Sequence, residues 1–168
     1  MKKTKIIALM GEAGAGKDFL LHEVLNIDKE KQPPQMHEIV SCTTRPPREG
    51  EKDGINYHFL TKEYVDSHKE DFLELSTFRD WYYGTRYSDL DPEKINVGVF
   101  NPTGVRNLLK SDKINVKVFW VKAPARIRLI RQLEREKNPD IEEIFRRYHT
   151  DNEDFSNIDF LYEEIDNA

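Results

Sequence analysis

Lys5-Ile6-Ile7-Ala8-Leu9-Met10-Gly11-Glu12-Ala13-Gly14-Ala15-Gly16-Lys17-Asp18 reads as a buried strand, a turn and the start of a helix. Ile6 to Met10 is a continuous apolar run, as a parallel strand covered on both faces requires. Gly11 to Lys17 fit G-x-x-x-x-G-K, and Phe19, Leu20, Leu21, Val24 and Leu25 follow at helical spacing. The strand before and the helix after are the context that gives this motif meaning. Small residues let successive backbone N–H groups turn toward phosphate oxygens, and the helix N-terminus adds positive potential. Lys17 then reaches the outer phosphates of a nucleotide. A bare glycine turn would need no lysine there.

The motif closes on Ser or Thr, whose hydroxyl holds Mg²⁺, and here that place is Asp18. Two roles are open to it. A carboxylate oxygen suits Mg²⁺, directly or through water, and an acidic residue at a helix start also complements the helix dipole.

Outward from this unit, short apolar runs alternate with helical patterns. Strands are expected at 37–41, 55–60, 72–75, 81–84, 95–100 and 116–121, with an edge strand at 160–162. Helices are expected from Thr61 as N-cap to about Lys69, from Pro102 to Lys110, and from Pro124 onward, interrupted at Asn138-Pro139 and resuming over 141–149. Such alternation argues for an α/β fold with a mainly parallel sheet.

Composition narrows the class. At 168 residues the chain is sized for one domain. Nine Phe, seven Tyr and two Trp supply a core despite 34% charged residues. No apolar run approaches the ~20 residues of a membrane span. The basic start Met1-Lys2-Lys3-Thr4-Lys5 precedes an apolar run too short for a signal peptide, so a cytoplasmic protein is expected. A lone cysteine, Cys42, excludes an internal disulfide or a cysteine metal cluster. The net charge of −5 disfavours a nucleic-acid polymer as partner. Arginines are clustered all the same, at 45 and 48 and again from Arg126 to Arg147, an arrangement suited to small phosphorylated ligands.

The most informative stretch is Ser41-Cys42-Thr43-Thr44-Arg45-Pro46-Pro47-Arg48-Glu49-Gly50-Glu51-Lys52-Asp53-Gly54-Ile55-Asn56-Tyr57-His58-Phe59. Two arginines separated by two stiff prolines form a preorganised phosphate clamp, to which Tyr57 adds a hydroxyl. With Phe72-Leu73-Glu74 and Tyr82-Tyr83-Gly84-Thr85 following in order, the chain resembles the guanylate kinase family over roughly residues 5–162.

The resemblance implies a P-loop NTPase-like parallel sheet flanked by helices, with an inserted, mainly antiparallel monophosphate-binding region over 41–91 and a helical lid over 127–149. It implies ATP as donor on Gly11, Glu12, Ala13, Gly14, Ala15, Gly16, Lys17 and Asp18, with Mg²⁺ at Asp18. GMP or dGMP would be the acceptor, its phosphate on Arg45, Arg48, Tyr57 and Tyr83, and its base on Ser41, Glu74, Thr85 and Asn101. Lys17, Arg45, Arg131, Arg146 and Arg147 would be catalytic, with Arg135 a weaker match. Glu74 suits guanine because N1–H and the 2-amino group offer two donors together, whereas adenine would leave the carboxylate unpaired. Partners would be small-molecule nucleotides, and the protein a monomer or homodimer.

Three departures stand against that pattern. Asp18 replaces the hydroxyl residue. Val99 and Asn101 stand where the family carries two aspartates, so Asp18 is a candidate to take over the acidic role lost at Val99. The chain also stops at Ala168 without the final helix the family leads one to expect. A kinase with a broader deoxynucleotide acceptor, or a catalytically weak binding module, remains open at this point.

Overall fold

The computed structural model describes residues 3–135 and 137–168. Met1 and Lys2 of the basic start, and Glu136 in the expected lid, lie outside the described residues.

The quoted stretch folds as read. Strand β1 (Thr4–Met10) leads through the glycine loop into helix α1 (Lys17–Lys29). Gly16 sits at the helix N-cap with φ of 91°, a left-handed conformation that costs glycine nothing. Leu21 and Leu25 face inward from α1 onto Leu9 and Val97, and each such burial contributes about 1.5–3 kcal/mol.

Strands β2 (Met36–Glu38), β7 (Ile95–Val99), β8 (Ile114–Lys122) and β9 (Glu163–Asp166) join β1 in one five-stranded sheet, ordered β2-β7-β1-β8-β9. Every pairing in it is parallel. Helix α3 (Pro102–Leu109) packs over the sheet opposite α1, sending Val105 and Leu108 into the cluster of Ile6, Ala8, Met10 and Val118. Its start is well specified: Pro102 occupies the first turn, and the Asn101 side chain accepts the Gly104 amide at 2.7 Å.

A second, mixed sheet of four strands stands apart from the first. It comprises β3 (Cys42–Thr43), β4 (His58–Phe59), β5 (Phe72–Phe78) and β6 (Trp81–Arg86), in the order β4-β3-β6-β5. The β3–β6 and β5–β6 pairs are antiparallel and the β3–β4 pair is parallel. Helix α2 (Lys62–Ser67) covers it, capped as expected by Thr61, whose hydroxyl accepts the Tyr64 amide at 3.1 Å. A bulge between Phe72 and Glu74 breaks the β5–β6 register. It lets Phe72 pack with Val65 and Cys42 while Leu73 joins the main core.

Helices α4 (Ala125–Glu134) and α5 (Ile141–Asp154) follow β8, and the Asp140 carboxylate caps α5 by accepting the Glu143 amide at 3.0 Å.

Several boundaries differ from the sequence reading. The second strand ends at Glu38, not Ser41, and the 55–60 strand shrinks to His58–Phe59. Helix α5 runs on to Asp154. The last strand is Glu163–Asp166 and not 160–162. Phe160 instead packs against the main core and Leu161 is 95% exposed, whereas the polar Glu163–Asp166 segment completes the sheet edge, where backbone pairing alone suffices.

Candidate active site

A cleft of about 800 Å³ opens beyond the C-terminal ends of β1 and β7, where ligands settle in parallel sheets. The glycine loop, the second sheet and the α4–α5 pair each form one wall.

On the loop side, Gly11, Ala13 and Lys17 face the cleft. The loop carbonyls are taken from elsewhere. Gln132 Nε2 donates to Ala13 O at 3.4 Å, Arg131 to Gly14 O at 3.4 Å, Asn167 Nδ2 to Ala15 O at 2.9 Å, and Lys17 Nζ to Glu12 O at 3.2 Å. Peptides held by their carbonyls turn their N–H groups the other way, which is the polarity an anion cradle needs. The Glu12 carboxylate accepts the Trp120 indole N–H at 3.1 Å. A Cβ on Gly14, whose φ is 79°, would run into the Arg128 carbonyl. Burial pushes the Lys17 ammonium below its usual range, against the pull of Asp18, Asp151 and Glu12. One loop amide already holds an anion: Ala13 N–H donates to Asp151 Oδ2 on α5 at 2.7 Å.

On the opposite wall, Arg45 is buried and fully organised. Its guanidinium donates to Glu51 Oε1 at 2.9 Å and to Pro46 O at 2.7 Å, and it lies 5.5 Å above the Tyr57 ring. Glu51 also accepts the Arg48 amide at 2.7 Å, so one carboxylate sets both arms of the clamp. Arg45 drives that carboxyl below its ordinary range. Arg48, Tyr57 and Tyr83 line the same wall, and the Tyr57 and Tyr83 rings meet edge-on at 6.2 Å.

Deeper in, Glu74 is 7% exposed, and its Oε1 accepts the Thr85 hydroxyl at 3.0 Å. Burial lifts its carboxyl to about 7, with the Thr85 bond working against that rise. Ser41 and Asn101 line the cleft with it. Thr85 is wholly buried behind Glu74 and is not on the cleft surface.

Arg135, Arg146 and Arg147 line the third wall. Arg131 does not: its guanidinium donates to Gly14 O and, at 2.9 Å, to Asn167 O. The long side chain reaches the back of the loop before it can reach the cleft. Asp18 is exposed at the start of α1 and is not part of the cleft wall. Among the described residues, no group of three or more His, Cys, Asp or Glu could hold a metal ion. Cys42 is buried 3.5 Å from Asp89, and burial together with that carboxylate raises its thiol to about 12, as befits a packing residue.

Four residues of this arrangement went unmarked in the sequence. Glu51 stood inside the quoted clamp, three positions after Arg48, where the spacing was a usable signal. Arg79 and Asp151 carry no local signature, because each acts across a long sequence separation, whereas Glu143 stands three and four positions before Arg146 and Arg147, a spacing that was a usable signal.

Comparison with known proteins agrees on one family. The family model described as guanylate kinase matches residues 3–167. The guanylate kinase of Prochlorococcus marinus strain MIT 9312 is 42% identical over 96 residues, 56% of this chain and 49% of that protein. That of Mycoplasmopsis synoviae is 43% identical over 94 residues, 54% and 44% of the two chains. That of Schizosaccharomyces pombe is 42% identical over 85 residues, 49% and 40%. The chain thus spans about half the length of the curated relatives it matches. A crystal structure of guanylate kinase from Anaplasma phagocytophilum superposes with a TM-score of 0.66 at 17% identity, covering 99% of this chain and 78% of that one, a likeness of fold. No helix among the described residues is long and apolar enough to cross a membrane.

Proposed function

Because the chain belongs to the guanylate kinase family, we propose that it transfers the terminal phosphoryl group of ATP to GMP or dGMP, yielding ADP and the guanine diphosphate. The single observation that carries this reading is the shared cleft, in which the Lys17 loop faces the Arg45–Arg48 clamp with Arg146 and Arg147 between them. In this reading residues 41–91 form the acceptor region, residues 127–149 the lid, and the remainder the core.

The chemistry asks for no general base, since the attacking phosphate oxygen is already anionic. The loop amides and Lys17 hold the donor's phosphates. Arg45 and Arg48, fixed by Glu51, place the acceptor phosphate in line, with Tyr57 and Tyr83 alongside. Arg146 and Arg147 neutralise charge on the transferring group in a site from which closure expels water. Glu74, once ionised, accepts the two donors of the guanine edge and is steadied by Thr85. Arg131 acts behind the loop by holding Gly14.

Mg²⁺ fits Asp18 in this scheme. The ion takes one or two carboxylates along with phosphate oxygens and waters rather than a dedicated cage, and a single exposed carboxylate next to Lys17 is such a donor. When bound it neutralises charge on the donor's outer phosphates. Asp18→Ala is then expected to raise the Mg²⁺ concentration that turnover requires, and an unaltered requirement would remove Asp18 from the metal.

A coupled ADP-release assay across all ribo- and deoxyribonucleoside monophosphates tests the whole reading. Preference for GMP or dGMP supports it, and absence of turnover with every acceptor defeats it. One observation favours a broader acceptor range as second reading: Asn101 spends its carbonyl oxygen on the Gly104 amide. Its amide offers an N–H₂ donor and one remaining lone pair on that oxygen where a carboxylate would offer acceptors alone, so it selects less sharply for the guanine 2-amino group.

A further inference from the structure

The α4–α5 wall of the cleft and the β5–β6 hairpin together form an anion site larger than the lid alone supplies. Glu143 on α5 is surrounded by three guanidinium groups. Arg146 Nε donates to its Oε2 and Arg146 Nη2 to its Oε1, both at 2.7 Å. Arg147 Nε donates to Oε1 at 3.0 Å. Arg79 Nη2 donates to Oε2 at 3.1 Å, so Arg79 and Arg146 grip one oxygen together. All four side chains line the cleft.

Arg79 comes from the second sheet and not from the lid. It sits at the tip of the β5–β6 hairpin in a left-handed conformation, φ 54°, which a non-glycine residue adopts only at some cost. The hairpin is anchored to the lid next door as well, because the Arg146 guanidinium lies 5.0 Å from the Phe78 ring. Phe78 in turn packs edge-on to Tyr83 of the clamp.

Three cations hydrogen-bond one carboxylate, with Asp151 acting on Arg146 from farther off, so the cluster stays net positive, and the Arg48 guanidinium of the clamp adds its own field to that of Arg147. A carboxylate offers two oxygens, whereas a phosphoryl group offers three oxygens and more charge. Such a cluster is better matched by a phosphoryl group than by Glu143. The hairpin and the lid present it together only when they meet across the cleft.

We infer that Arg79 is a further phosphate-binding residue of the transfer reaction, delivered by the acceptor-side hairpin, and that Glu143 holds its place until a phosphoryl group arrives. This rests on the phosphoryl-transfer reading above. During turnover the partner of Arg79 is the donor's outer phosphoryl group, held in the ground state and more tightly as it transfers, so its contribution falls on kcat and on affinity for the donor's phosphates and is independent of Glu143.

The test compares Arg79→Ala in the wild-type and Glu143→Gln backgrounds, with thermal melting as the check on folding. Arg79→Ala is expected to lower kcat about tenfold in both backgrounds, with less than about threefold change in KM for GMP, and Arg79→Lys to restore part of the loss. A loss that vanishes in the Glu143→Gln background overturns the inference, since Arg79 would then act only through that carboxylate. An unchanged kcat in Arg79→Ala overturns it equally. Titration with inorganic tripolyphosphate needs no turnover: Arg79→Ala should bind it about fivefold more weakly than wild type, and equal affinity counts against the inference. A wild-type protein that binds tripolyphosphate through Arg79 yet phosphorylates no monophosphate would instead defeat the kinase reading.

Discussion

Glu74 and Asp151 are two cleft carboxyl groups raised by burial, and their charge states bear on what the cleft accepts. Lifted by burial to about 7, Glu74 is partly neutral at physiological pH, whereas the guanine edge needs it ionised. KM for GMP is therefore expected to rise about tenfold per pH unit below about 7, and Glu74→Gln to flatten that profile. A wild-type KM that holds constant from about pH 5.5 to 7.5 would show that Glu74 does not meet the base. Stability runs in the opposite sense. A carboxyl whose folded value exceeds its ordinary one binds its proton more tightly in the native state, so the native state loses stability as pH rises from about 4.5 through about 7. Glu74→Gln should accordingly stabilise the protein at about pH 8, by at most about 3 kcal/mol, and leave it little changed near pH 4.5, as urea unfolding without nucleotide would read out. Asp151 occupies the Ala13 amide that a phosphate oxygen would use, and burial raises its carboxyl. Asp151→Asn removes that competing anion and is expected to tighten ATP binding about fivefold by calorimetry, with weaker binding the contrary result.

At the level of elements, legibility followed sequence distance. Strand β1, the glycine loop and α1 were readable because every determinant lies within one local stretch, with apolar periodicity and glycine spacing agreeing. The Thr61 cap and the Pro102 helix start were readable for the same reason. Strand β9 was not: Glu163-Glu164-Ile165-Asp166 has no apolar pattern, and it becomes a strand only because the β8 edge offers it a parallel partner. Motif order groups the clamp arginines with Glu74, and they line one cleft, but Arg131, expected among the catalytic arginines, braces the loop from behind. Spacing cannot tell the two faces of α4 apart without knowing what lies against each. That bracing makes the loop intolerant of added bulk. Gly14→Ala must overcome both a left-handed backbone and the Arg128 carbonyl, and is expected to cost about 2 kcal/mol or more in urea unfolding while abolishing ATP binding.

Across the whole molecule, the proposed donor and acceptor sites lie on different walls of one cleft, and the Arg79–Glu143 pair joins the acceptor-side hairpin to the lid. Ligands that bridge the walls should therefore stabilise more than the sum of their separate effects. A ligand at about a hundred times its Kd contributes about 2.7 kcal/mol, which in a domain of this size raises Tm by about 5–10 °C. Donor and acceptor together are expected to exceed the sum of the two single shifts in differential scanning fluorimetry. Simple additivity would mean that the walls do not communicate.

The two tryptophans happen to stand one at each end of this arrangement. Trp120 gives its indole hydrogen to Glu12 of the glycine loop, with Lys122 4.1 Å from its ring, and Trp81 lines the acceptor side. The protein thus carries a native fluorophore beside each of the two proposed nucleotide sites. Trp81→Phe and Trp120→Phe would isolate one emission signal apiece, so that stopped-flow traces could follow the arrival of donor and acceptor separately, without any attached dye.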